Sequence, residues 1–292
     1  MYVSIFELFK IGIGPSSSHT MGPMYAAKSF IDLVHAKKNN KIIKSIDVEL
    51  YGSLAYTGVG HKTYEAICLG LSGIEPCNIN LNDKSIILNK INTQNKIDIF
   101  DYEIDFNLKN NIKPIRTNKY KSHPNPMLFK CIFSDNSEHK EIFHSIGGGF
   151  IYCKGDNANE EHLKDYTYNF ASFDELKSLC IENNINVYDI ILQNEYLNSK
   201  PKTINAKIIN IWHNMNEIIK NGINSTGKID NILNVDKRAN YLNNKIKRKE
   251  KYDPLEIMDK VNIYAIATCE ENASGNKIVT APTNGAAGII PA

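Results

Sequence analysis

Gly14-Pro15-Ser16-Ser17-Ser18-His19-Thr20-Met21-Gly22-Pro23-Met24 runs directly into an apolar period of Met24, Ala27, Phe30, Ile31 and Val34. That spacing is the period of an amphipathic helix over 24–37. Four hydroxyls and one imidazole therefore crowd the start of a buried helix. A helix N-terminus offers unpaired backbone N–H groups and a partial positive charge, which suit a carboxylate or a phosphate. His19 adds a group able to exchange a proton near neutral pH. A serine N-cap and a surface histidine account for any one of these residues alone. Together they make a small-anion site.

The pattern changes along the chain. Ile43–Tyr51 alternates apolar and polar residues as a strand does. A Gly-rich loop, 52–60, leads into a helix over Thr63–Leu71. Ile97–Phe106, Met127–Phe133 and Phe150–Cys153 are further strand candidates. From about residue 172 helical periodicity takes over. Ser172 followed by Glu175 is a capping-box signature, and Val187–Tyr196, Ile204–Ile219 and Pro254–Cys269 continue in helical period. The segment 221–253, rich in Asn, Lys and Gly, reads as a connection. The expected class is α+β: a mixed α/β domain over 1–155, then an incomplete all-helical domain over 172–292, with the boundary within 155–171.

The 292 residues suffice for two cores. A formal net charge of +2 points to neither nucleic acid nor an anionic membrane as a partner. The basic run Lys245–Lys251 lacks the interleaved aromatics of a nucleic-acid patch and reads as a solvated connector. No apolar stretch nears the roughly 20 residues of a membrane span, and the first residues lack the charged region of a signal peptide. A cytoplasmic protein is expected. The six cysteines form no Cys-x-x-Cys pair and read as small buried hydrophobes in a reducing compartment.

Other segments carry chemistry-bearing residues. Gly58-Val59-Gly60-His61-Lys62-Thr63 departs from a phosphate-binding loop, because His61 stands where that motif has Gly. What remains is a loop that delivers His61 to a helix start. Gly147-Gly148-Gly149 is followed by no helix and reads as a strand-edge turn, and His123-Pro124-Asn125-Pro126 as a rigid extended piece. Pro282 to Gly288 is a turn of small residues that can hug a ligand or pack against another element.

Taken together, Gly14–Met24 (GPSSSHTMGPM), Gly52–Thr63 (GSLAYTGVGHKT), His123–Phe129 (HPNPMLF), Ser145–Ile151 (SIGGGFI) and Glu270–Ala292 (EENASGNKIVTAPTNGAAGIIPA) resemble the iron–sulfur-dependent L-serine dehydratases of bacteria. The resemblance implies a β-type domain joined to a helical catalytic domain, and a homodimer in the intact family. It implies elimination of water from L-serine to give pyruvate and ammonia, with a [4Fe–4S] cluster as Lewis acid on the β-hydroxyl. On this basis Ser16, Ser17, Ser18 and Thr20 are expected to bind the substrate carboxylate. His19 and His61 are the catalytic candidates, as base and as orienter of the hydroxyl. Thr283, Asn284 and Gly285 would close the site from the helical domain.

The resemblance also implies three cluster cysteines beyond the Pro-Thr-Asn-Gly segment, and none of the six cysteines here matches them. No metal ligand is therefore assigned in this chain. The chain is expected to be a C-terminally truncated member of the family, inactive by itself and exposing apolar surface on its helical part, with the rest on a second chain or lost. The alternative is a non-enzymatic amino-acid-binding or regulatory remnant that keeps the anion site.

Overall fold

The computed structural model describes residues 2–37, 41–117, 124–153, 166–197, 199–229, 233–248 and 253–292. The first half mixes helix and strand. It comprises α1 (Ile5–Leu8), β1 (Ile11–Ile13), a π-helical turn (Ser17–Met21) continuing into α2 (Gly22–Lys37), β2 (Ile43–Leu50), α3 (Gly52–Thr57) and α4 (Thr63–Leu71). Then come α5 (Leu81–Gln94), the hairpin β3 (Lys96–Ile99) and β4 (Tyr102–Asp105), α6 (Leu108–Asn111), β5 (Ile112–Pro114), β6 (Pro126–Phe133), β7 (Glu138–Gly147) and β8 (Phe150–Cys153). The second half is helical, with α7 (Phe173–Asn183), α8 (Val187–Tyr196), α9 (Pro201–Asn224), α10 (Ala239–Lys247) and α11 (Glu256–Ala273), closed by the short β9 (Lys277–Val279). The α+β class holds.

Five strands form one sheet in the order β5-β2-β6-β7-β8. β2 and β5 run parallel, and the other pairs are antiparallel. Alternation along β2 and β6 turns Ile46, Val48, Leu50, Met127, Phe129 and Cys131 into the core, where α2 supplies Phe30, Ile31 and Val34. The rings of Phe30 and Phe129 lie 5.2 Å apart, and Phe129 meets Phe143 edge-on at 5.7 Å. Such aromatic contacts add to the burial term that dominates the stability of the fold.

Several expectations are corrected. Ile97–Phe106 is a hairpin and not one strand: Phe100 takes φ +53° at the turn. The apolar alternation continues through a reversal that no Gly or Pro announces. The loop over 52–60 begins as α3. The connection over 221–253 holds the end of α9 and the whole of α10. α10 starts without a side-chain cap of its own; instead the buried carboxylate of Glu270, on α11, accepts the N–H groups of Arg238 (2.7 Å) and Ala239 (3.2 Å). This cap lies 31 residues away in sequence, so local propensity could not reveal it. The supposed connector Lys245–Lys251 begins inside α10, and its residues 249–251 lie outside the described residues, as do His123 and 155–165 of the domain boundary. Only Cys68 and Cys131 are fully buried, while Cys77, Cys153 and Cys180 are half-buried and Cys269 is exposed.

Among the described residues no helix is long and apolar enough to cross a membrane. The helical half does expose large apolar side chains, including Trp212, Met258, Val261 and Ile289.

A strand pairing and a carboxylate clasp are two of the contacts that join the halves. β1 pairs antiparallel with β9, Gly12 opposite Ile278. Glu195 of α8, 2 % exposed, accepts from Tyr2 Oη (2.6 Å), Ser4 Oγ (3.0 Å) and Ile5 N (3.0 Å). A buried carboxylate is tolerated only when its lone pairs are filled in this way. Burial and this carboxylate push the Tyr2 phenol well above its ordinary pKa. Glu195→Ala strands three donors and is expected to cost about 3 kcal/mol. Urea denaturation should record that loss, and limited proteolysis should show residues 2–8 becoming accessible; an unchanged midpoint would make the clasp dispensable.

Candidate active site

The π-helical turn at the head of α2 is built by its own side chains. Ser16, in extended conformation, accepts the N–H of His19 on its hydroxyl (3.2 Å), and its carbonyl accepts from Thr20 N and Met21 N. Wide turns of this kind concentrate at functional sites. The first N–H groups of the turn, at Ser17 and Ser18, have no intrahelical acceptor. Gly22 is required here for packing: a Cβ would stand 2.0 Å from Ser145 Oγ. That hydroxyl donates to Ser18 O at 2.7 Å and fixes the turn against β7.

Hydrogen-bond directions determine the state of His19. Asn125 gives its Nδ2–H to the carbonyl of Ser145 (3.1 Å), so Oδ1 faces Ser53. Oδ1 carries no proton, so the Ser53 hydroxyl donates to it. Ser53 Oγ must then accept from His19 Nε2–H, 2.9 Å away. His19 Nδ1 is left as an acceptor and receives the hydrogen bond of the Ser18 hydroxyl at 2.8 Å. Every lone pair and proton on this imidazole is committed. Burial, and secondarily the adjacent His61, lower its pKa to about 4. His19 is neutral at physiological pH and has no vacant base nitrogen.

His61 differs. Its Nδ1 lies 3.0 Å from the carbonyl of Thr57, an acceptor only, so Nδ1 carries the proton. Nε2 thus holds a lone pair, and no described residue bonds to it. The ring lies 4.7 Å from that of His19, tilted 38°. Two side chains hold the backbones together: Thr20 Oγ1 donates to His61 O at 2.7 Å, and Thr63 Oγ1 donates to His19 O. Thr20 is fully buried and also accepts Ser16 N, so its hydroxyl is already in use.

The helical half borders the same turn. Asn272 Nδ2 donates to Pro15 O (3.2 Å), and Asn284 Nδ2 donates to Ile13 O (3.0 Å) and to Asn272 Oδ1 (2.9 Å). Gly14 has no room for a side chain, since a Cβ would lie 1.9 Å from Asn272 O. Asn284 is buried and its Oδ1 has no partner among the described residues. Thr283 and Gly285 are exposed; among the described residues Thr283 O accepts a backbone bond from Ala281 N. The structure thus brings Ser16, Ser17, Ser18, His19, Thr20 and His61 together and links Asn284 to them through Asn272, but gives Thr283 and Gly285 no such link. Ser53, Asn125, Thr63 and Asn272 were missed. Each lies inside or beside a segment quoted above, but its role depends on which atoms meet across the fold.

Residues 4–156 match the family model described as serine dehydratase beta chain, and residues 182–292 that described as serine dehydratase alpha chain. The chain is 36 % identical to the L-serine dehydratase of Haemophilus influenzae over 302 residues, covering 99 % of this chain and 65 % of that protein. L-serine dehydratase 1 of Escherichia coli is 35 % identical over 298 residues, with the same coverages, and the Streptomyces coelicolor L-serine dehydratase is 35 % identical over 100 % of this chain and 65 % of its own length. The chain belongs to the serine dehydratase family and spans about two thirds of the length of these relatives.

The wiring of His19 has a measurable signature. Imidazole nitrogen NMR should find His19 as the Nε2–H tautomer, unchanged from pH 8 to pH 5. The unfolded chain takes up this proton near pH 6.5, whereas the folded one does so only near 4. His19 therefore costs nothing above pH 6.5 and destabilises the fold as pH falls from 6.5 toward 4. His19→Gln should remove that part of the acid sensitivity; a His19 titrating near 6.5 would contradict the network.

Proposed function

We propose that this chain supplies the proton-abstracting and carboxylate-binding part of an L-serine dehydratase, the reaction being loss of water from L-serine to give aminoacrylate, which hydrolyses to pyruvate and ammonia. The observation that carries the reading is His61: an imidazole whose Nδ1–H is bound to Thr57 O, leaving Nε2 as a base beside the neutral His19. A general base must have its lone pair free and aimed by its other nitrogen. His61 takes the α-proton. His19, with no vacant nitrogen, is a positioning residue that holds Ser18 and fills the space beside His61.

The substrate carboxylate lies at the head of the π-helical turn, on the N–H groups of Ser17 and Ser18 and the hydroxyls of Ser16 and Ser17. The Ser18 hydroxyl donates its hydrogen bond to His19 Nδ1, so it meets the substrate as an acceptor. Thr20 supports the turn without touching substrate. Asn284 Oδ1 is a second acceptor on the side of the helical half.

The [4Fe–4S] cluster that the resemblance implies does not fit the donors of this chain. Among the described residues no group of three His, Cys, Asp or Glu converges. The thiols of Cys68 and Cys131 sit in the apolar core, where burial raises their pKa, the latter to about 12, and that of Cys269 is also raised. Ligation requires thiolates. Departure of the β-hydroxyl is therefore not assigned to a metal held by the described residues of this chain.

L-serine at millimolar concentration is expected to raise the Tm of the chain, D-serine much less, and Ser17→Ala should weaken binding about tenfold. In any assembly of this chain that forms pyruvate, His61→Ala should lower kcat about 10³-fold with little change in KM. Unaltered turnover would remove His61 as the base. Pyruvate from the 292-residue chain alone, after anaerobic loading with iron and sulfide, would overturn the reading of the thiols.

A further inference from the structure

A cavity of about 340 Å³ opens between α1, α2 and α9. Its walls include the rings of Phe6, Phe9 and Tyr25 and the side chains of Lys10, Lys207 and Asn210. The polar atoms offered there are mainly donors. Lys10 is half-buried, with its ammonium 3.1 Å above the centre of the Phe150 ring. No described carboxylate lies within ion-pair distance of it; Glu7 acts on it only through space. Lys207 likewise has no ion pair among the described residues and stands 5.2 Å from the Phe6 ring. Asn210 Oδ1 accepts from Asn214 at 3.2 Å. Glu75, whose charge acts on Tyr25, accepts a hydrogen bond from the thiol of Cys77 at 3.6 Å.

A desolvated cation without a counterion is an unfavourable element unless something pairs with it. The ring face beneath Lys10 compensates in part. We propose that this cavity binds a small carboxylate with an aromatic or otherwise apolar body, Lys10 and Lys207 meeting the carboxylate while Phe6, Phe9 and Tyr25 enclose the body. The volume suits a ligand of benzoate size or somewhat larger. Lysines act as point charges toward such a group, so charge rather than planar geometry sets the selection. The inference does not depend on the dehydratase reading: it uses none of the residues around His61.

Benzoate titrated into the full chain, followed by calorimetry and saturation-transfer NMR, tests this. The expected result is saturable 1:1 binding, about tenfold weaker in Lys10→Met and weakened further in the Lys10→Met/Lys207→Met double variant. Benzamide, uncharged and of the same shape, should bind about tenfold more weakly than benzoate. Lys207 is exposed, so Lys207→Met alone leaves the fold intact and is expected to weaken binding in its own right. Absence of saturable binding, equal binding of benzamide, binding retained in the double variant, or equal affinity for inorganic phosphate would each overturn the proposal. Displacement of benzoate by excess L-serine would locate it at Ser17 instead and would overturn it as well.

Discussion

The pairing of Ile11–Ile13 with Lys277–Val279 is the constraint on which the candidate site depends. Three residues of strand are too few to persist in isolation. This ladder is held at both ends: Lys10 and Thr280 exchange backbone and hydroxyl bonds on one side, and Gly14 N reaches Asn276 O on the other. The Glu195 clasp fixes the residues that precede it. Ser16 to His19 follow immediately, so the position of the π-helical turn is set by the helical half as much as by the sheet beneath α2. The carboxylate pocket at Lys10 and the turn at Ser16 lie at opposite ends of the same short strand.

The two histidines acquire different chemistry from their neighbours and not from their own identity. A backbone carbonyl can only accept, so Thr57 forces the proton onto Nδ1 of His61. A hydroxyl can donate or accept, so the role of Ser53 toward His19 is decided one residue further on, by Asn125. The orientation of Asn125 is in turn decided by the carbonyl of Ser145. The protonation pattern at the centre is thus read from a backbone atom of the β7 strand. Close approach of the rings adds a reason for at least one of them to stay neutral, since two imidazolium ions 4.7 Å apart would repel in a partly desolvated site.

The helical half follows the same logic of distant partners. α9 and α11 carry enough apolar residues to be recognised as helices, but α10 depends on Glu270 for its first turn. Its neighbour Glu271 accepts from Asn276 at 3.0 Å and lies 3.5 Å from Lys237, tying the end of α11 to the approach to β9. The same few residues at the end of α11 thus cap one helix, lead into the strand that joins the halves and present Asn272 to the candidate site.

Much was legible in the amino-acid sequence. The hydroxyl and imidazole cluster at 16–20, the helices over Thr63–Leu71 and Val187–Tyr196, the Ser172 cap and the strands β2, β6 and β8 each announce themselves through local period or local capping chemistry. Sequence also brought His61 forward through its glycine-lined approach. Tertiary structure alone decided that β1 meets β9, that Phe100 reverses a strand, that Thr20 is a strut, and that His61 and not His19 has a nitrogen without a partner among the described residues. The reason is physical. A helix period repeats within a few residues, whereas bonds such as His19–Ser53, Thr20–His61 and Lys10–Thr280 join groups 34, 41 and 270 positions apart, and their direction is defined only when donor and acceptor meet.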